Sequence, residues 1–209
     1  MCQETCQEKS LPDLLGEVTG LLKEWTCGDA EALRDLIPRV YSELRGMAER
    51  LSRGKRRRQF VQPTILVNEL YMRLAEKTRT ETLDFPTRVH FYAFAGTLMR
   101  RVLVDLIRRE SVRDNGGENV SLEFDESHDL TCHEAVDRLT LLSLHRALQK
   151  LALLDARQAR IVEYKYFAGL TVEEIVHLVG ISRATVNREL QTARVLLARE
   201  MGRSQEEAV

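Results

Sequence analysis

The chain has 209 residues, 44% hydrophobic and 30% charged, with only 11 Gly and 4 Pro. That length suits one domain or two small ones, and sparse turn residues among helix formers favour an all-α chain over a sheet. A formal net charge of −1 declares no polyanionic partner in bulk, and no run of 18 apolar residues is present to span a membrane.

From Leu11 to Trp25 apolar residues recur three and four apart at Leu14, Leu15, Val18, Leu21, Leu22 and Trp25, which predicts a first amphipathic helix with Pro12 near its start. After Gly28-Asp29, a second helix is expected over Ala30–Leu51, with Leu33, Leu36, Ile37, Val40, Tyr41, Leu44, Met47, Ala48 and Leu51 on one face. Pro38 should kink or divide it. The run Arg53-Gly54-Lys55-Arg56-Arg57-Arg58 interrupts the period and reads as a basic loop. Between Arg39 and Phe60 eight basic residues stand against two acidic ones. From Thr64, a suitable N-cap, the helical period resumes through Leu66, Val67, Leu70, Tyr71 and Leu74, then lapses over Lys77–Thr82. A fourth helix is predicted from about Thr87 to Arg109, burying Phe91, Phe94, Ala95, Leu98, Val102, Leu106 and Ile107 and exposing Arg100, Arg101, Arg108 and Arg109.

The following stretch, Ser111 to about Cys132, contains Asn115-Gly116-Gly117 and little helical period. Ser111–Ala135 holds seven acidic residues against one basic, so the segment reads as a flexible acidic linker. A second helical unit runs from about His133 to Met201, leaving a short tail.

The most specific local signal is TVEEIVHLVGISRATVNRELQTARVLLARE, residues 171–200. Thr171 and Glu174 have the spacing of a capping box ahead of a short helix that buries Ile175, Val176 and Leu178. Gly180 permits a left-handed turn and Ser182 can cap the next helix. On that helix Val186, Leu190, Ala193 and Leu197 share one inward face, so Ala184, Asn187, Arg188, Gln191 and Val195 face outward, with Arg183 at the exposed start and Arg194 on the flank. Arg, Asn and Gln are the side chains that read base edges in a major groove, so the pattern reads as a helix-turn-helix with a DNA-reading second helix; the alternative is an ordinary helical hairpin whose polar face is simply solvated.

Residues 151–200 resemble region 4, the −35-reading domain, of the extracytoplasmic-function (ECF) group of sigma factors. Independently, QPTILVNELYMRLAE is similar to the region 2 segment that docks on the clamp helices of the polymerase largest subunit. FYAFAGTLMRRVLVDLIRRE is similar to the region 2 helix that opens and reads the −10 element. The two regions follow the family's order with a linker between them, and the basic loop before Gln62-Pro63-Thr64 resembles a subgroup of such factors. The resemblance implies two small helical domains: a helical extension over 1–27, a region 2-like unit over 28–110, a linker over 111–132, a region 4-like unit over 133–201 and a tail over 202–209.

The resemblance further implies roles residue by residue. Polymerase docking falls on Leu66, Asn68, Glu69, Tyr71, Met72 and Arg73, with Ile65 standing where the family usually has an acidic residue. Work at −10 falls on Phe91, Phe94, Arg100, Arg101, Arg108 and Arg109, with the arginines suited to phosphate. Thr97-Leu98 stands where housekeeping sigma factors carry an aromatic pair, which implies a weaker melting device and stricter promoter dependence. Contacts at −35 fall on Arg183, Ala184, Asn187, Arg188, Gln191 and Arg194. The implied partners are core RNA polymerase and promoter DNA, with an anti-sigma protein as an optional third. The acidic linker is either a plain tether or a nucleic-acid mimic within the polymerase channel.

The competing reading is a stand-alone helix-turn-helix regulator with a helical sensor or dimerisation domain. Against it stands the match over Pro63–Glu76, which a sensor has no reason to contain. Catalysis finds no support: His90, His128, His133, His145 and His177 lie in unrelated contexts, without H-E-x-x-H, nucleophile elbow or Gly-rich phosphate loop. Cys2, Cys6, Cys27 and Cys132 form neither a paired C-x-x-C zinc site nor a disulfide scaffold, and with His128 and His133 they read as no metal site. No cofactor is expected. Gln3, Glu4, Gln7 and Glu8 stand where a secretory signal needs apolar residues, so the expected setting is the cytoplasm.

Overall fold

The computed structural model describes residues 11–52, 61–80, 83–114 and 132–206. The basic run 53–58 and most of the acidic linker, residues 115–131, lie outside them. Among the described residues the fold is all-α, without strands. Helix α1 spans Leu11–Thr26 and α2 Ala30–Leu51. Gly28, at φ 105°, turns the chain between them, and the Asp29 carboxylate accepts from the Glu31 amide at 2.9 Å to cap α2.

Pro38 does not divide α2. It lies on the exposed side of the helix, while Leu36 and Val40 on the inner face are fully buried. Helix α3 covers Pro63–Thr80 and starts one residue before the expected cap. The Gln62 carbonyl accepts from the Leu66 amide at 3.2 Å, so Pro63 is the first helical residue and Thr64 is not the cap. It also continues through Lys77–Thr80, where the apolar period has lapsed but the residues still favour helix. Helix α4, Arg88–Asp114, extends five residues beyond the expected end, into the segment read as linker.

Helix α5 covers Cys132–Leu154 and α6 Ala156–Glu163, the latter capped by Asp155. A single π-helical turn, Tyr164–Ala168, continues α6 and closes on Gly169 at φ 76°. Helix α7, Val172–Val179, and α8, Arg183–Glu206, complete the chain. Helices α1 to α4 pack around an aromatic centre in which Trp25 stacks on Phe85 at 5.7 Å and meets Phe91 edge-on at 6.4 Å. Helices α5, α6 and α7 all pack on α8. Gln158 is buried at that junction and its amide donates to the Glu189 carboxylate at 2.7 Å.

The two halves share one contiguous apolar cluster, because α4 lies along the π turn and touches α5, α6 and α7. At the crossing the backbones are so close that a Cβ on Gly96 would stand 2.5 Å from the Ala168 Cα.

Candidate nucleic-acid interface

The helix-turn-helix is built by its local signals. The Thr171 hydroxyl accepts from the Glu174 amide at 3.2 Å and the Glu174 carboxylate accepts from the Thr171 amide at 2.8 Å, satisfying the first free donors of α7. Gly180, at φ 71°, ends α7 with its amide bonded to the Val176 carbonyl. The Ser182 hydroxyl then accepts from the Thr185 amide at 3.2 Å to start α8. Ile175, Val186 and Ala193 are fully buried, Leu190 and Leu197 nearly so, while Val176 and Leu178 are half-buried at the edge of the core.

That packing fixes the outer face. Ala184, Asn187, Arg188 and Gln191 are exposed side by side along α8. Asn187, Arg188 and Gln191 hold no hydrogen bond or ion pair among the described residues, so their donors and acceptors are available to a partner. The flanking arginines are held: Arg183 pairs with Glu173 at 3.3 Å, and Arg194 donates to the Tyr166 hydroxyl at 2.6 Å with its guanidinium over that ring. Tyr166 is a support that periodicity does not identify, because it reaches α8 from the π turn.

The residues expected to dock polymerase divide into two groups. Leu66 is fully buried and Tyr71 half-buried, so Leu66 is core and offers nothing to a partner. Asn68 is exposed and Met72 is 64% exposed. Glu69 and Arg73 face α4, where Arg73 bonds Asp105 at 2.9 Å and Glu69 lies 4.0 Å from Arg109. Sequence reasoning left out Ile65, which is 44% exposed. Residues 65, 68 and 72 fall at i, i+3 and i+7, one outward stripe beside a groove of about 240 Å³ between α2 and α3. The same spacing arithmetic would have found Ile65 had it not been assigned to the family's acidic position.

The expected −10 residues divide likewise. Phe91 is fully buried within the aromatic centre and Phe94 is half-buried against Phe85, so both serve packing, and Phe91 cannot meet a base. Arg101, Arg108 and Arg109 are exposed on α4. Arg100, expected to be exposed, is 5% exposed. Its guanidinium bonds Glu163 and shares a 2.6 Å hydrogen bond with His145 Nδ1, while the Phe167 ring lies 5.5 Å away. Thr97, one helical turn earlier, donates to the other oxygen of Glu163 at 2.9 Å. Periodicity placed Arg100 outward correctly with respect to α1–α4, but α5, α6 and the π turn cover that face.

Burial and the neighbouring Arg100 and Arg108 hold the His145 imidazole below its ordinary value of 6.5, opposed by Asp105, so the ring stays neutral and can accept from Arg100. Beside this cluster a cleft of about 700 Å³ opens between the halves. A second groove, of about 300 Å³, lies between α5 and α8, where Leu153 and Leu154 are 88% and 83% exposed. Among the described residues no group of three or more His, Cys, Asp or Glu could hold a metal, and no helix is long and apolar enough to cross a membrane. Cys2, Cys6 and His128 lie outside the described residues.

A family model described as ECF sigma factor matches residues 15–203, from α1 through α8. No curated protein matches the chain.

Proposed function

The chain belongs to the ECF sigma factor family, alternative sigma factors that bind core RNA polymerase and direct transcription initiation at promoters rather than catalyse a reaction, and from that premise we propose how its surfaces divide the work. Residues 28–110 form the region 2-like unit and residues 133–201 the region 4-like unit, with 111–132 linking them. Helix α8 enters the major groove of the −35 element with Asn187, Arg188 and Gln191 toward base edges and phosphates, flanked by Arg183 and Arg194. The observation that carries this reading is that those three polar side chains are exposed and unpartnered on the face opposite a buried stripe.

On α4, Arg101, Arg108 and Arg109 bind the −10 strand through its phosphates, and Arg100 joins them when it is uncovered. On α3, Ile65, Asn68 and Met72 meet the clamp helices of the polymerase largest subunit, an apolar anchor pair around a hydrogen-bonding group. Glu69 and Arg73 orient that surface through their pairs with Arg109 and Asp105. Residues 1–27 extend the region 2-like unit, the working compartment is the cytoplasm, and an anti-sigma protein is a third partner compatible with the exposed grooves.

The test is co-elution of the purified chain with bacterial core polymerase on size exclusion. Asn68→Arg combined with Met72→Glu alters only exposed side chains, so helicity should be unchanged while co-elution is lost. Co-elution at wild-type strength in the double variant would overturn this docking surface.

A further inference from the structure

The guanidinium of Arg100 is enclosed by groups of the same chain. Nη2 donates to Glu163, Nη1 meets His145 Nδ1, Nε is buried without a partner, and Phe167 covers one face of the group. A carboxylate, a hydrogen-bond acceptor and an aromatic ring around one arginine are the three things a melted promoter strand supplies: phosphate, base edge and base ring. All three come here from the carboxy-terminal half of the same chain, Glu163 and Phe167 from α6 and the π turn and His145 from α5.

The interlock extends on either side of that arginine. Gly96, one turn before Arg100, admits the Ala168 backbone at a distance no side chain would tolerate. Thr97 occupies the second oxygen of Glu163, and Arg50 of α2 donates to the Ala168 carbonyl at 3.2 Å. Residues 96, 97 and 100 form one face of α4, and every one of them is engaged.

We propose that the free factor is self-closed, with the α6–π-turn segment acting as an internal mimic of promoter DNA on α4, so that Glu163 must leave Arg100 before the −10 strand can bind. The proposal rests on Arg100 being a −10 residue. Closure leaves the −35 face of α8 outward, so it restrains strand binding and not duplex docking. Separation of the halves exposes Arg100 and the Gly96 groove together, and association with core polymerase is the event expected to hold them apart.

Two variants open the lock by different means without touching the DNA-binding groups. Glu163→Gln removes the charge that neutralises Arg100, and Gly96→Ala places a methyl where Ala168 sits while strengthening α4 as a helix. Each should enlarge the radius of gyration measured by small-angle scattering on the full chain. Each should also raise the affinity of the free chain for a mixed-sequence fluorescent 20-nucleotide single strand by about tenfold, equivalent to ~1.4 kcal/mol. Bound to core polymerase, variants and wild type should bind the strand alike.

Unchanged scattering and unchanged strand affinity in Gly96→Ala would overturn the closure. Opening without a gain in affinity would overturn the masking. Adding Arg100→Ala to the opened Gly96→Ala chain separates the two ideas: loss of the gain supports both. A gain that persists leaves the closure standing and removes Arg100 from the −10 surface.

Discussion

Replacing Asn187 and Arg188 with Ala isolates recognition from folding. Both side chains are exposed on α8 and hold no partner among the described residues, whereas the stripe beneath them, Val186, Leu190, Ala193 and Leu197, is untouched. Ala is also the better helix former, so stability should change by less than about 0.5 kcal/mol. Asn187 in a bidentate base contact is worth about 1–3 kcal/mol, which is a loss of roughly 5- to 150-fold at the preferred base. Arg188 directed at phosphate should weaken all sequences alike and reduce the salt slope of binding by about one. The assay is run-off transcription by the reconstituted holoenzyme from a template pool randomised at −35, read by sequencing at two salt concentrations. Asn187→Ala should relax preference at one position, and Arg188→Ala should lower output without changing the preferred sequence. If both variants transcribe the pool with wild-type selectivity and salt dependence, α8 does not read the −35 element through this face.

Ile175→Ala removes a fully buried side chain where α7 packs, and should cost about 2–5 kcal/mol in a denaturant melt and lose −35 recognition with it. Thr171→Ala removes one half of the capping box and should cost about 0.5–2 kcal/mol, while Thr171→Ser should retain most of that stability. His145 supplies a pH dependence with a definite sign. Its folded value is depressed, so the unfolded chain takes up the proton first, and stability present above about pH 6.5 declines as pH falls below it. Facing the ring are Arg100, Arg101, Asp105 and Arg108 of α4, with Arg73 of α3 and Arg160 and Glu163 of α6 around the adjoining cleft. Protonation adds a cation among arginines, so scattering at pH 5.5 should show a more open chain than at pH 7.5. His145→Gln, which keeps an acceptor but does not titrate, should flatten the change.

The amino-acid sequence by itself determined whatever depends on neighbours in the chain. The capping box of Thr171 and Glu174, the left-handed turn at Gly180, the Ser182 cap and the four-residue buried stripe of α8 are interactions within a few residues of one another, and each was legible as spacing. The same holds for the all-α character, for the burial of Trp25, and for Leu66 and Phe91 lying on apolar stripes, where core packing won over the partner roles that family position suggested. Tertiary structure decided which polar face is covered and by what. Pro38 leaves α2 undivided because its side of the helix meets solvent. Ile65 joins Asn68 and Met72 because the other faces of α3 are occupied. Arg100 stands on the outward side of α4, as its period requires, yet its partner Glu163 is 63 residues away in the chain. Helical period states the direction in which a side chain points, and only the packing of distant elements decides whether water, protein or DNA meets it there.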